Sequence, residues 1–135
     1  MNACEVHVGE TTRVLLVEDH ALFRQALSLL LRRQPHMEVM QAGTLAEARL
    51  LLGGVDVVAL DTYLPDGAGA DLIVDVRTNN PGASVLILND APDSAHRRSA
   101  LAAGADSVLS KVESPFTIID EIKGLGGTRP EARPS

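Results

Sequence analysis

Four residues in this chain have the types that phosphate and divalent-metal chemistry needs. Glu18 and Asp19 stand side by side, Asp61 stands far downstream, and Lys111 farther still. Each follows directly on a short strand-like segment. Crowded carboxylates raise one another's pKa unless a cation offsets them. An oxygen-only donor set of this charge favours a hard ion such as Mg²⁺, which keeps several waters and accepts one or two carboxylates plus a phosphate. Lysine binds phosphate as a point charge, and a carboxylate can itself be a nucleophile that becomes an aspartyl phosphate. Together these types fit phosphoryl transfer onto an aspartate, with Mg²⁺ and the lysine offsetting charge.

The elements around them must bring the four together. Val14–Val17, Val57–Leu60 and Val85–Leu88 are apolar runs bounded by polar residues, which suits strands buried on both faces. Glu38–Gln41 and Ser107–Ser110 are weaker strand candidates. Helical patterns alternate with them. Ala21–Arg33 carries Leu22, Ala26, Leu29 and Leu30 at helical spacing, with Arg32 and Arg33 in its last turn. Thr44 to Glu47 is a capping box opening a second helix that Gly53-Gly54 ends. Asp71–Thr78 and Asp93–Ala103 read as a third and a fourth helix. Ser114-Pro115 supplies an N-cap and a first-turn proline to a fifth, with Phe116, Ile119 and Ile122 on one stripe. Five β-then-α units predict a parallel α/β sheet with helices on both faces. Such sheets carry their sites beyond the carboxyl ends of the strands, where all four residues fall.

Length and composition agree. The chain has 135 residues, 45% apolar and 22% charged, which suits one globular domain and excludes disorder as the main state. The net charge of −6 argues against nucleic-acid binding through a basic face. No apolar run approaches membrane-spanning length, and residues 1–13 lack a secretory core, so a cytoplasmic location and no membrane partner are expected. Cys4 is the lone cysteine, and no two of His7, His20, His36 and His96 show metal-ligand spacing. A capping or surface role is expected for His20. Arg32-Arg33 and Arg97-Arg98 read as solvated helix faces, the second pair also as an interface candidate. The expected division is a leader over 1–12, one domain over 13–123, and a tail or linker over 124–135.

Three blocks carry a family resemblance: Arg13 to His20 (RVLLVEDH), Val57 to Gly67 (VVALDTYLPDG) and Ala103 to Lys111 (AGADSVLSK). In this order and spacing they resemble the receiver domain of two-component response regulators, most of all receivers attached to a helix-turn-helix output domain. The resemblance implies a flavodoxin-like (βα)5 fold with strand order 2-1-3-4-5. It makes Asp61 the phosphoacceptor, which takes its phosphoryl group from a histidine kinase or phosphotransfer protein. It implies Mg²⁺ held by Asp19 and Asp61 directly, by Glu18 through water, and by the backbone carbonyl of Tyr63. Lys111 contacts the acceptor and then the phosphoryl group. An output domain regulating transcription lies outside this chain on this reading, and a homodimer would form through helix four or helix five.

Departures from the pattern sit around the switch. Asn89 stands where the family has Thr or Ser. It reads equally as a phosphate donor through its amide or as a residue ending a strand. Asp90 replaces a small residue and is expected to face solvent. Val108 replaces the switch aromatic, and Val112 the proline after the lysine. The ring of Tyr63 is expected across the mouth of the site. These departures keep a second reading open, a receiver-like module that binds or dimerises without phosphorylation. A third, a nucleotide- or flavin-binding domain, would need a glycine-rich loop after strand one, where Glu18-Asp19-His20 stands instead.

Overall fold

A computed structural model of the chain describes residues 11–91 and 93–127. The expected leader up to residue 10, with Cys4 and His7, and the tail beyond 127 lie outside the described residues. The elements are β1 (Thr12–Val17), α1 (Ala21–Arg32), β2 (Met37–Ala42), α2 (Leu45–Arg49), β3 (Val57–Asp61), β4 (Tyr63–Leu64), β5 (Gly67–Ala68), α3 (Ala70–Asn79), β6 (Ser84–Asn89), α4 (Ser94–Ala102), β7 (Ser107–Ser110) and α5 (Pro115–Gly127).

Five strands form one parallel sheet in the order β2-β1-β3-β6-β7. Counted along this sheet alone, that is the predicted 2-1-3-4-5. The pairing register aligns Val17 with Ala42 and Leu60, Asp61 with Leu88, and Asn89 with Ser110. The residues after β1, β3, β6 and β7 therefore share one edge. A small antiparallel hairpin, β4–β5, was not anticipated. It joins Asp61 to α3.

Both faces of the sheet are covered, so its strands are apolar at successive positions. Leu15 and Val17 point into one core with α2 and α3, where Leu45, Leu72, Ile73 and Val76 pack. Val14 and Leu16 point into the other, against Leu27 and Leu31 of α1 and Ile118, Ile119 and Ile122 of α5. Each such leucine or isoleucine stabilises the fold by about 1.5–3 kcal/mol.

Several helices differ from the expectation. The stripe expected to bury α1 is largely outside: Leu22 is 82% and Leu29 56% exposed, while Leu27, Ser28 and Leu31 are buried. Leucines crowd this helix on two sides, and the position of α5 selects the inward one. Phe116 is likewise 64% exposed, because Ile118, not Phe116, joins Ile119 and Ile122 inside. The Thr44 cap holds, its hydroxyl accepting from Glu47 N–H at 3.1 Å, but regular helix stops at Arg49 and tightens into turns before Gly53. The α5 helix runs past Gly124 to Gly127. Gly126 is buried there: a Cβ on it would lie 2.8 Å from Thr12 Cγ2.

Candidate functional site

The site forms where β1, β3, β6 and β7 end. Glu18 follows β1 and is fully buried, its backbone N–H donating to Ala42 O at 2.9 Å. Asp61 ends β3 with only 8% exposure. Its backbone is clamped by Gly69, where a Cβ would sit 2.2 Å from Asp61 O, so only glycine lets α3 begin here. Lys111 follows β7, anchored by its N–H donating to Asn89 O at 2.8 Å. Its side chain runs inward beside Phe23, whose ring centre is 5.6 Å from Nζ.

The Lys111 ammonium bridges both acids. Nζ lies 2.8 Å from Glu18 Oε1 and 3.0 Å from Asp61 Oδ2. The first is a charge contact set off the hydrogen-bond direction. Glu18 Oε2 accepts from the His20 backbone N–H at 2.9 Å and lies 3.1 Å from His20 Nδ1.

Burial pushes both carboxyls up, and their partners then separate them. For Glu18, the Lys111 ammonium and the His20 N–H outweigh burial, and the group stays below the ordinary glutamate range. For Asp61, burial is followed by relief from Lys111 and then by repulsion from Glu18, and the net result is a carboxyl above its ordinary range. Burial lowers Lys111, but its two acids more than reverse this, so it stays charged. The two carboxyls share one cation and titrate as a pair.

This donor set fits a hard divalent ion. Glu18, His20 and Asp61 offer ligand atoms all within 4.8 Å of one another. Glu18 has both oxygens engaged, which suits an outer role through water. Asp19 is exposed at the same edge and lies outside that compact group. Tyr63 stands on β4 two residues after Asp61 and is 72% exposed.

The structure also places the departures. Asn89 ends β6, and its amide is committed: Nδ2 donates to Thr62 Oγ1 at 2.8 Å and Oδ1 accepts from Ala91 N–H at 3.0 Å. Thr62 Oγ1 in turn lies 3.4 Å from His96 Nε2 on α4. Asp90 is exposed, as expected. Val108 is buried in the core. Arg97, expected on a solvated face, donates from Nη1 to Val108 O at 2.8 Å and ties α4 to β7. The α4 helix has no fully buried side chain, and a cavity of about 210 Å³ separates it from α3. Thr62, His20 and His96 were not singled out as site residues from the sequence. Thr62 had one usable signal, its place directly after Asp61.

Comparisons with known proteins bear on the family and the fold. The family model described as response regulator receiver domain matches residues 14–123. The DNA-binding transcriptional activator DevR/DosR of Mycobacterium tuberculosis is 33% identical over 120 residues, covering 87% of this chain and 55% of that protein. The chain thus spans about half the length of the curated relatives it matches. The crystal structure of a LuxR-family two-component response regulator from Aurantimonas superposes with a TM-score of 0.78 at 29% identity, covering 90% of this chain and 92% of that one. A CheY-like receiver domain protein from Methanospirillum hungatei gives 0.81 at 22% identity, covering 91% and 99%, and shares the fold.

Proposed function

Because this chain belongs to the response regulator receiver domain family, we propose that it is a phosphoacceptor switch using Asp61 as nucleophile. The partner is a histidine kinase or phosphotransfer protein carrying a phosphohistidine. A carboxylate oxygen of Asp61 forms the new O–P bond as the donor's N–P bond breaks, and that electron pair leaves with the imidazole nitrogen. The observation that carries this reading is the bridge from Lys111 to both Glu18 and Asp61, at 2.8 and 3.0 Å, on the edge where all the strand ends meet. Lys111 is held where negative charge would gather on the transferring group. Asp19, Asp61 and the Tyr63 carbonyl, with Glu18 through water, would hold Mg²⁺. That ion supplies charge neutralisation for the incoming phosphoryl oxygens.

The relatives are transcriptional response regulators, among them DevR/DosR and the nitrate/nitrite regulator NarP of Escherichia coli. We therefore assign the switch to control of an output, with transcription as the regulated process and the cytoplasm as its place. No helix among the described residues is long and apolar enough to cross a membrane.

A specific observation favours a second reading, a module working without phosphate. The Asn89 amide is already bonded to Thr62, and Val108 cannot report as an aromatic would. Intact-protein mass after incubation with Mg²⁺ and acetyl phosphate separates the two. The switch requires one added phosphoryl group in the parent and none in Asp61→Asn. A parent that gains nothing and binds no Mg²⁺ would sustain the second reading instead.

A further inference from the structure

The hairpin that follows Asp61 is small, and it is tied down from outside. Its strands pair Tyr63 with Ala68 and Leu64 with Gly67, and Pro65 and Asp66 make the turn between them. A two-stranded hairpin this short is marginal by itself. Its base closes through Gly69 N–H, which donates to Thr62 O at 2.8 Å. Leu64 is buried in the core that α2 and α3 share. The turn is held by Asp66, an exposed residue whose two carboxylate oxygens both meet the start of α2. Oδ1 accepts from Leu45 N–H at 2.8 Å, and Oδ2 accepts from Ala46 N–H at 3.0 Å. Beside it Gly67, at φ 149°, comes so close to α2 that a Cβ would lie 2.8 Å from Leu45 Cδ1.

Helix α2 already has a cap of its own. Thr44 Oγ1 accepts from Glu47 N–H at 3.1 Å, a bond that needs only neighbours in the chain. A helix start leaves further N–H groups without partners inside the helix. Asp66 takes two of them from 21 and 20 residues down the chain. Carboxylate bonds to backbone N–H are charge-assisted and strong, and two from one carboxylate fix its direction as well as its distance. Helix α2 is itself well seated. Leu45 and Ala48 are buried, and Arg49 Nε lies 2.9 Å from Asp75 Oδ2 on α3. The turn is thus fastened to a fixed element, three residues after Tyr63. A backbone carbonyl has no side-chain torsion with which to correct its aim, so the loop that carries it sets where it points.

We propose that Asp66 is a positioning residue of the metal site: its bonds to Leu45 and Ala46 fix the hairpin and so aim the Tyr63 carbonyl beside Asp61. It rests on the reading of that carbonyl as a Mg²⁺ ligand. Calorimetric Mg²⁺ titration of the full chain tests it. Asp66→Ala should weaken Mg²⁺ binding about tenfold, the scale of groups that orient metal ligands, with its circular dichroism unchanged. Asp66→Asn keeps one acceptor oxygen and should weaken binding roughly threefold. Thr44→Ala strips the other cap from the same helix end and leaves the hairpin tied, so its Mg²⁺ affinity should equal the parent's. In amide NMR spectra, Mg²⁺ should shift the Leu45 and Ala46 resonances in the parent and in Thr44→Ala but not in Asp66→Ala. Parent affinity in Asp66→Ala, or equal weakening in Thr44→Ala, overturns the proposal. So do Leu45 and Ala46 resonances that ignore Mg²⁺ in the parent. Should Asp66→Ala lose its fold, parent affinity in Asp66→Asn overturns it. A parent that binds no Mg²⁺ overturns the metal reading and this proposal with it, whereas a parent that binds Mg²⁺ no better than Asp66→Ala overturns this proposal alone.

Discussion

The ionised Asp61 carboxyl costs the fold stability. Its carboxyl titrates above the ordinary range because it is buried beside Glu18, with one shared cation. The folded chain therefore holds this proton more tightly than the unfolded chain, and deprotonating it above the raised value destabilises the fold. That penalty is present in full once pH has passed the raised value. Without metal, Asp61→Asn should raise urea stability there. The gain should fade as pH drops through the raised value toward the ordinary one, where the parent carboxyl is protonated too. A variant less stable than the parent above the raised value would contradict this balance. Glu18 works in the opposite sense. Its lowered carboxyl contributes stability above its ordinary value, and this is lost as pH falls toward the lowered one. On the acceptor reading, Tyr63 would act after the chemistry. Its exposed ring stands two residues beyond Asp61, where it would obstruct attacking water. If the acceptor reading holds, Tyr63→Ala should shorten the acyl-phosphate lifetime several-fold, read by mass after removal of the phosphodonor. An unchanged lifetime removes the shielding role.

At the scale of elements, the helices are not equally seated. Helices α1, α3 and α5 each bury at least three side chains, and α4 buries none. The α4 helix rests on its Asp93 cap, the Arg97 bond to Val108 O and the long contact of His96 with Thr62. The cavity beside it leaves room to shift. Elements with few buried contacts open at low free energy. Hydrogen exchange should therefore find α4 amides exchanging well ahead of those in α1, α3 and α5. Equal protection of α4 and α1 would refute this ranking. The chain Asn89–Thr62–His96 links the end of β6 to this helix.

The whole molecule closes by packing its last helix on its first strand. Gly126 meets Thr12 without room for a Cβ, Leu125 packs on the α1–α5 core, and Ser84 Oγ donates to Leu125 O at 3.4 Å. The folded unit thus continues past residue 123. Truncation after Lys123 should lower stability by about 1–3 kcal/mol, measured by urea unfolding against truncation after Gly127. Equal midpoints for the two would restore the shorter boundary.

What the sequence determined by itself is whatever depends on neighbours in the chain. The strands are short apolar runs because both faces of the sheet are buried, and the Thr44 cap needs only Glu47 three residues on. Glu18, Asp19, Asp61 and Lys111 were legible because each follows a strand, and a parallel sheet brings all such positions to one edge. Tertiary structure decided the rest. The α1 helix has leucines on two sides, and periodicity cannot choose between them; the placement of the sheet and α5 turned Leu27 and Leu31 inward and Leu22 and Leu29 outward. The Asn89 amide could have faced a phosphate or closed a turn, and the approach of Thr62, 27 residues earlier, directs it to a hydroxyl. Asp61 and Glu18 are alike as side chains. Their shared burial around one ammonium, with the His20 N–H given to Glu18 alone, moves one carboxyl up and the other down, because electrostatic energies depend on distance and dielectric, which exist only once the chain has folded.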